Sequence, residues 1–404
     1  MKTNKILALI NVLICIAITL LNQRQGSIWV LCLLYIVACF FALIFINKRL
    51  ILNNNFVVKI SILYFIFFYA IVLNNSYNNW LEYLSLAFAP IVIFQTNFYL
   101  IQKRYLSINS LIFITVIILI VACYKVYTVS IRLEYLVGGN LQTNWSNLIG
   151  ACLPIVFLIK KRQLQYLFLF AAGTFIIIGL KRTGMISLLI TIFVMIFFLV
   201  KEDKVKFSIT RALFILLLFA LGYVYVFGNV EFNRIDTAMV RLEHLSKDGG
   251  SGRDDIFSLG VSNWLDNTKI PVASKIRGSG FFGFKRKSGL MGIESAHNDL
   301  IDFSYNYGIF AVVFLIFYYV RVLKLLFLSW KKRSKYFQFT LTTVIIFFIY
   351  SLFSAFYHYF VFFIPLILNL ALMEVIHLNS SKTYIYHFND NKFSYLIRPN
   401  KNHE

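Results

Sequence analysis

Charged side chains are scarce in this sequence, acidic ones above all. Only 14% of the 404 residues are charged, and 17 acids stand against 39 bases. An average soluble chain is about 25% charged. Apolar residues make up 59% and the mean hydropathy is +0.75. The length would allow two or three soluble domains, but this composition excludes them, because too little polar surface remains to cover them. Cysteine is scarce as well. Cys15, Cys32, Cys39, Cys123 and Cys152 all fall in apolar segments and form no Cys-x-x-Cys pair, which excludes a disulfide framework and a zinc site. They read as small packing residues.

Long apolar runs are what the chain has instead. Twelve nearly uncharged stretches read as membrane spans: 6–21, 28–46, 56–73, 80–94, 108–129, 146–159, 164–180, 184–200, 209–227, 307–328, 337–356 and 359–378. Backbone groups in lipid must be satisfied within their own segment, so the spans are expected to be helices; barrel strands would alternate. The first run follows Lys2 and Lys5 as a signal sequence would. It ends in Asn22-Gln23-Arg24-Gln25 with no small-residue cleavage site and reads as an uncleaved span.

Sidedness follows from the bases. With both termini inside, inner segments hold 24 of the 39 bases and five of the 17 acids, a net +19, and the outer side carries +3. The total of +22 is therefore a topology signal with attraction for anionic headgroups, and no nucleic-acid partner is expected. The predicted class is an all-α polytopic membrane protein with about 12 transmembrane helices. Nine helices fill 1–227, a long outer segment spans 228–306, three helices fill 307–378, and 379–404 is a basic cytoplasmic tail.

Two features depart from the inner bias. Lys181-Arg182 falls outside, in a short turn between two spans. Residues 228–306 are too polar to span, and their ten bases and ten acids cancel. A connection this long is expected to be partly helical and functional, so any chemistry faces outward.

Arg182, in Gly179-Leu180-Lys181-Arg182-Thr183-Gly184, has two readings. It is either an interfacial residue snorkelling to water or a guanidinium fork for phosphate oxygens, helped by the amides of Thr183 and Gly184. Ser251 or Gly252 is placed to cap a surface helix reaching Trp264, with Arg253 at its start and Asp254 and Asp255 in its first turn. No His or third carboxylate stands at ligand spacing from that acidic pair, so no metal is assigned. Gly278-Ser279-Gly280-Phe281-Phe282-Gly283 matches the dinucleotide fingerprint by letter. It follows no predicted strand and opens no βαβ unit, and reads as a flexible apolar turn touching the bilayer.

In Glu294-Ser295-Ala296-His297-Asn298-Asp299-Leu300-Ile301-Asp302, Ser295 is placed to cap a helix with His297 in its first turn. A lone surface histidine is the plain reading. His297, however, stands among Asn, Asp and Tyr in the same segment as Arg253, where a neutral imidazole can take a proton from a hydroxyl. Together these residues suit a lipid pyrophosphate carrying a sugar. The phosphates would sit against Arg182 and Arg253, and Trp145, Trp264, Tyr305 and Tyr307 would offer rings to sugars. No nucleotide-binding loop lies on the inner side, so the energy would come from the activated donor.

The outer Arg-Thr-Gly turn, the long outer loop with Ser-Gly-Arg, a Gly-x-Gly turn and Ala-His-Asn-Asp before Gly308, and about three closing helices resemble the bacterial O-antigen ligase and polymerase superfamily. The specific motifs lie within about residues 179–310. The resemblance implies a GT-C-like, inverting glycosyltransferase of the bacterial inner membrane, independent of metal and cofactor. Its substrate would be an undecaprenyl-pyrophosphate-linked oligosaccharide, with membrane lipids and a chain-length regulator as further partners. By the same resemblance, Arg182 and Arg253 hold the pyrophosphate and His297 activates the acceptor hydroxyl. Asn298 and Asp299 orient the imidazole or a sugar. Lys181 matches no position of the family and is taken as auxiliary, and Tyr305 and Trp264 remain substrate contacts on the ring chemistry above. The implied activity is an O-antigen polymerase of the Wzy type. The alternatives are a ligase that transfers the polymer to lipid A–core, and a flippase for the same lipid-linked glycans. A flippase would favour mid-helix charges and repeated halves, and here Glu82 and Lys125 lie near span ends and no repeat is visible. A membrane scaffold would leave the arginines and His297 without a reason.

Overall fold

The computed structural model describes residues 2–21, 80–131, 144–179, 181–201, 253–280, 283–289, 295–354, 356–357 and 360–381. The predicted spans 28–46, 56–73 and 209–227 lie outside them, as do Ser251, Gly252 and nearly all of the tail. The described residues are helical and contain no strand.

In chain order the helices are α1 (Lys2–Leu21), α2 (Trp80–Gln102), α3 (Ile108–Ile131), α4 (Trp145–Cys152), α5 (Arg162–Ile178), α6 (Arg182–Lys201), α7 (Arg253–Leu265), α8 (Val272–Arg277), α9 (Gly283–Lys287), α10 (Asp299–Lys331), α11 (Phe337–Phe353) and α12 (Ile364–Ser381). Predicted spans that fall on described residues are helical there, except at the last residues of 146–159, 164–180 and 337–356. Ile108–Thr128 and Asp299–Lys331 are long and apolar enough to cross a membrane.

The short helix α4 is the centre of the packing. All eight of its residues are buried, and it continues into a 3-10 turn, Leu153–Leu158. Pro154 lacks an amide hydrogen, which suits this tightening. Helices α3, α5, α6 and α12 surround α4, and α11 packs on its 3-10 continuation. They approach closely because α4 is rich in small residues. A side chain at Gly150 would strike the Tyr350 hydroxyl of α11, and one at Gly184 of α6 would strike Ser146. Elsewhere, buried Asn11 of α1 donates to Asn97 of α2 at 2.8 Å, and Asn97 donates to its own helix at Ile93 O. Side-chain amides are satisfied pairwise where there is no water to do it.

Helix α10 is two helices in one. Gly308 breaks it with φ 78° and ψ −177°, outside helical values. Beyond the break, Phe310, Val313, Phe317, Val320, Phe327 and Trp330 form an exposed stripe, while Ala311, Leu315, Tyr319, Val322 and Leu325 are buried. From 309 to 331 the helix is about 34 Å long at 1.5 Å per residue. Arg321 sits midway along it and makes a two-pronged ion pair with buried Glu374 of α12, at 3.0 and 2.8 Å. The sequence reading counts both residues with the inner loops; the structure places them inside two packed helices.

Ahead of the break, residues 299–307 carry a small second core. Ile301 and Tyr305 pack with Ile270, Phe284 and Ala296, flanked by Ile256, Val261 and Trp264. This core attaches α7 and α9 to the start of α10.

Candidate functional site

The segment Ser295–Asp302 is built around its two carboxylates. Asn298, not Ser295, caps α10: its Oδ1 accepts from the amides of Leu300 and Ile301 at 3.0 and 3.3 Å. Ser295 is engaged elsewhere, because its hydroxyl donates to Asp302 Oδ2 at 2.6 Å. The Ala296 amide donates to Asp302 Oδ1 at 2.8 Å, and the His297 amide donates to Ser295 Oγ at 3.0 Å. His297 therefore lies ahead of the helix, not in its first turn. Its backbone is left-handed, with φ 54°, and its side chain is half-buried.

Asp299 is fully buried and faces the end of α11. It accepts from the Ser351 hydroxyl and, at 3.1 Å, from the Tyr357 amide. Tyr319 of α10 shares a hydrogen bond with the same Ser351. Asn298 Nδ2 donates to Leu352 O at 3.1 Å. Both carboxyls precede the break at Gly308. Burial raises Asp302 to about 7 and Asp299 well above the ordinary carboxylate range, against the lowering effect of the donors each one accepts.

The glycine-rich turn closes the other side of this short helix. The amides of Ser279 and Gly280 donate to Tyr305 O and Asn306 O, both at 2.8 Å, the carbonyls that the break at Gly308 leaves without helical partners. A Cβ at Gly278 would lie 2.4 Å from Asn306 O, and one at Gly308 would lie 2.2 Å from Ile276 O. Both glycines have positive φ. The expected flexible turn on the bilayer is instead buried backbone packed on backbone, and that contact, not a dinucleotide, is what requires the glycines.

The arginine turn sits on α4. Helix α5 is capped at Gly179, and α6 starts at Arg182. Lys181 is half-buried between them. Thr183 and Gly184 make the contact: Thr183 Oγ1 donates to Asn147 Oδ1 at 2.7 Å, and Gly184 lies on Ser146. Helix α4 in turn meets the end of α11 where Gly150 faces Tyr350. The next residue, Ser351, holds Asp299. A continuous run of packed residues thus joins the Arg182 turn to the His297 segment through Asn147, Gly150, Tyr350 and Ser351. Arg253 begins α7, whose Gly260 packs on Phe284 and Ile301 and accepts from the Tyr305 hydroxyl at 2.7 Å. Arg253 stands about two helical turns, roughly 10 Å, before that contact.

Several expected roles change with this geometry. Tyr305 is 2% exposed, its ring lies on Phe284 and its hydroxyl is bonded, so it braces α7 instead of offering a face to a sugar. Tyr307 and Trp145 are also buried, with Trp145 edge-on to Phe362. Asn298 Oδ1 caps α10 while its Nδ2 reaches Leu352 of α11, and Asp299 accepts from Ser351 of α11 and from Tyr357 beyond it. Trp264 is half-buried, with the Lys275 ammonium 5.7 Å from its ring centre. Sequence reasoning missed Asp302, Ser295 as a bridge, and Ser351. The only local signal for Asp302 is a carboxylate entering an apolar helix. Among the described residues, no group of three or more His, Cys, Asp or Glu is placed to hold a metal ion. Compared with known proteins, the chain matches no family model and no curated sequence.

Proposed function

We propose that this chain is a polytopic inner-membrane glycosyltransferase of the O-antigen ligase and polymerase kind, with about 12 transmembrane helices. Both termini are cytoplasmic and the site faces the periplasm. It joins glycan carried on undecaprenyl pyrophosphate to the next lipid-linked repeat unit, as an O-antigen polymerase. The acceptor hydroxyl attacks the anomeric carbon and the bond from that carbon to the pyrophosphate oxygen breaks. His297 takes the hydroxyl proton, and the lipid pyrophosphate leaves with the bonding pair. Arg182 and Arg253 neutralise the charge that gathers on the leaving group, with Lys181 beside them.

The observation that carries this reading is a connection through α4. Of two outer motifs more than 100 residues apart in sequence, Arg182-Thr183-Gly184 sits on Ser146 and Asn147 of α4, whose Gly150 meets Tyr350 of α11, and His297-Asn298 is held with Asp299 by Ser351 and Leu352 at the end of that same α11. The membrane part is supported by the two long apolar helices and by the exposed stripe of α10, whose length fits a hydrocarbon core of about 30 Å.

The test is gel analysis of surface polysaccharide from cells lacking the protein. Core capped by one repeat unit, without a ladder, is expected. Bare core with long chains left on the carrier lipid would make the protein a ligase. An unchanged ladder would overturn both and return the lipid-linked carrier reading.

A further inference from the structure

A left-handed backbone at a residue with a side chain costs about 1–2 kcal/mol and persists only where its surroundings hold it. His297 has that backbone in the candidate site. Three hydrogen bonds surround it, and all lead to one carboxylate. Asp302 Oδ1 accepts the Ala296 amide, Asp302 Oδ2 accepts the Ser295 hydroxyl, and Ser295 Oγ accepts the His297 amide. Asp302 is itself fixed, since it belongs to the first turn of α10, donates its amide to Asn298 O at 2.9 Å and is 4% exposed. Water therefore does not compete for its oxygens. On the far side of His297, Asn298 is held by its cap bonds and by Leu352 O.

We infer that Asp302 is a positioning residue for His297, acting through Ser295 to hold the histidine in its left-handed backbone at the entrance of α10. The inference rests on the reading of His297 as the base and adds what that reading lacks, the means by which one imidazole direction is set. Asp302 does not touch substrate. Its two oxygens close a ring from 295 to 302, and His297 is carried on the open side of that ring. Removing the carboxylate leaves a hydroxyl and an amide buried without acceptors, which the segment relieves by opening. His297 then loses its fixed direction while the helices behind it stay packed.

Carbethoxylation of the full-length protein in lipid nanodiscs tests this, with each histidine followed by mass spectrometry over time. Buried His377 of α12 reports general opening in the same sample. In Asp302→Ala and Ser295→Ala, His297 is expected to react about five- to tenfold faster, the size set by losing a local hydrogen bond, while His377 is unchanged. Asp302→Asn keeps an acceptor for Ala296 and a polar group for Ser295, so its rate should fall between native and Asp302→Ala. The double variant should match either single one, because both act on one chain of bonds. An unchanged His297 rate, or a His297 rate that rises only in step with His377, overturns the inference. Should Asp302→Ala fail to fold, Ser295→Ala, which removes a single oxygen, decides alone by the same criteria. Labelling needs no substrate, so it judges the clamp; the polysaccharide ladder of a His297→Ala strain judges His297 as the base.

Discussion

His297 and the two arginines differ in what their removal does. A general base contributes about 10²–10⁴ in rate, so His297→Ala should lower transfer by that factor while donor binding is kept. Accumulation of single repeat units in the variant strain checks this. Arg182→Ala and Arg253→Ala should abolish the ladder together with donor binding, and Arg→Lys should restore it only in part, because the ammonium lacks the fork. A normal ladder in either alanine variant would remove that arginine from the site. The carboxylates make a separate prediction. Burial raises Asp302 to about 7 and holds Asp299 well above the ordinary carboxylate range, so the folded chain holds these protons more tightly than the unfolded one. Their contribution to stability is complete below about pH 4 and is lost as pH rises through about 7 for Asp302. The unfolding temperature should therefore fall between about pH 5 and about pH 7.5, and Asp302→Asn should flatten that fall.

At the scale of elements, the break in α10 and the glycine-rich turn form one joint. Gly308 leaves two carbonyls without helical partners, and the amides of Ser279 and Gly280 supply them. Such irregular backbone is tolerated at the edge of a membrane only where protein satisfies it. A side chain at Gly278 or Gly308 meets backbone at 2.4 and 2.2 Å, whereas one at Gly289, also at positive φ, meets nothing within 4 Å. Gly289→Ala should then carry only a strain cost of about 1 kcal/mol. Gly278→Ala and Gly308→Ala should cost more than about 3 kcal/mol, because the joint must separate as well. Thermal unfolding of the three purified variants gives the order.

Over the whole molecule, α10 and α12 are linked across their middles by Arg321 and Glu374. The carboxylate is almost fully buried, while the guanidinium side chain is 38% exposed. Removing one partner of a buried pair costs about 3–5 kcal/mol because a charge is stranded, and Arg321→Ala and Glu374→Ala should each fall in that range, since the exposed part of Arg321 at the middle of a membrane helix meets lipid and not water. Replacing both, as Arg321→Met with Glu374→Leu, should restore most of the stability. Unfolding of the two single variants and the double one measures this. A double variant no better than the worse single would mean that the pair contributes through something other than mutual neutralisation.

The sequence alone determined the helical class, since a long apolar run has a single way to satisfy its own backbone and that requirement is local; it did not place α8, α9 or the start of α10 at Asp299. It also identified the arginine turn and the histidine segment, through rare polar residues beside apolar runs. The tertiary structure decided which of those residues can reach a substrate. Asn298 and Asp299 look like substrate ligands beside His297, yet their partners are Leu352, Ser351 and Tyr357, more than 50 residues away. Tyr305 reads as a sugar platform until Gly260, 45 residues earlier, takes its hydroxyl. Hydrogen bonds between distant residues leave no spacing to read, and a buried polar group takes whichever partner the packing brings to it.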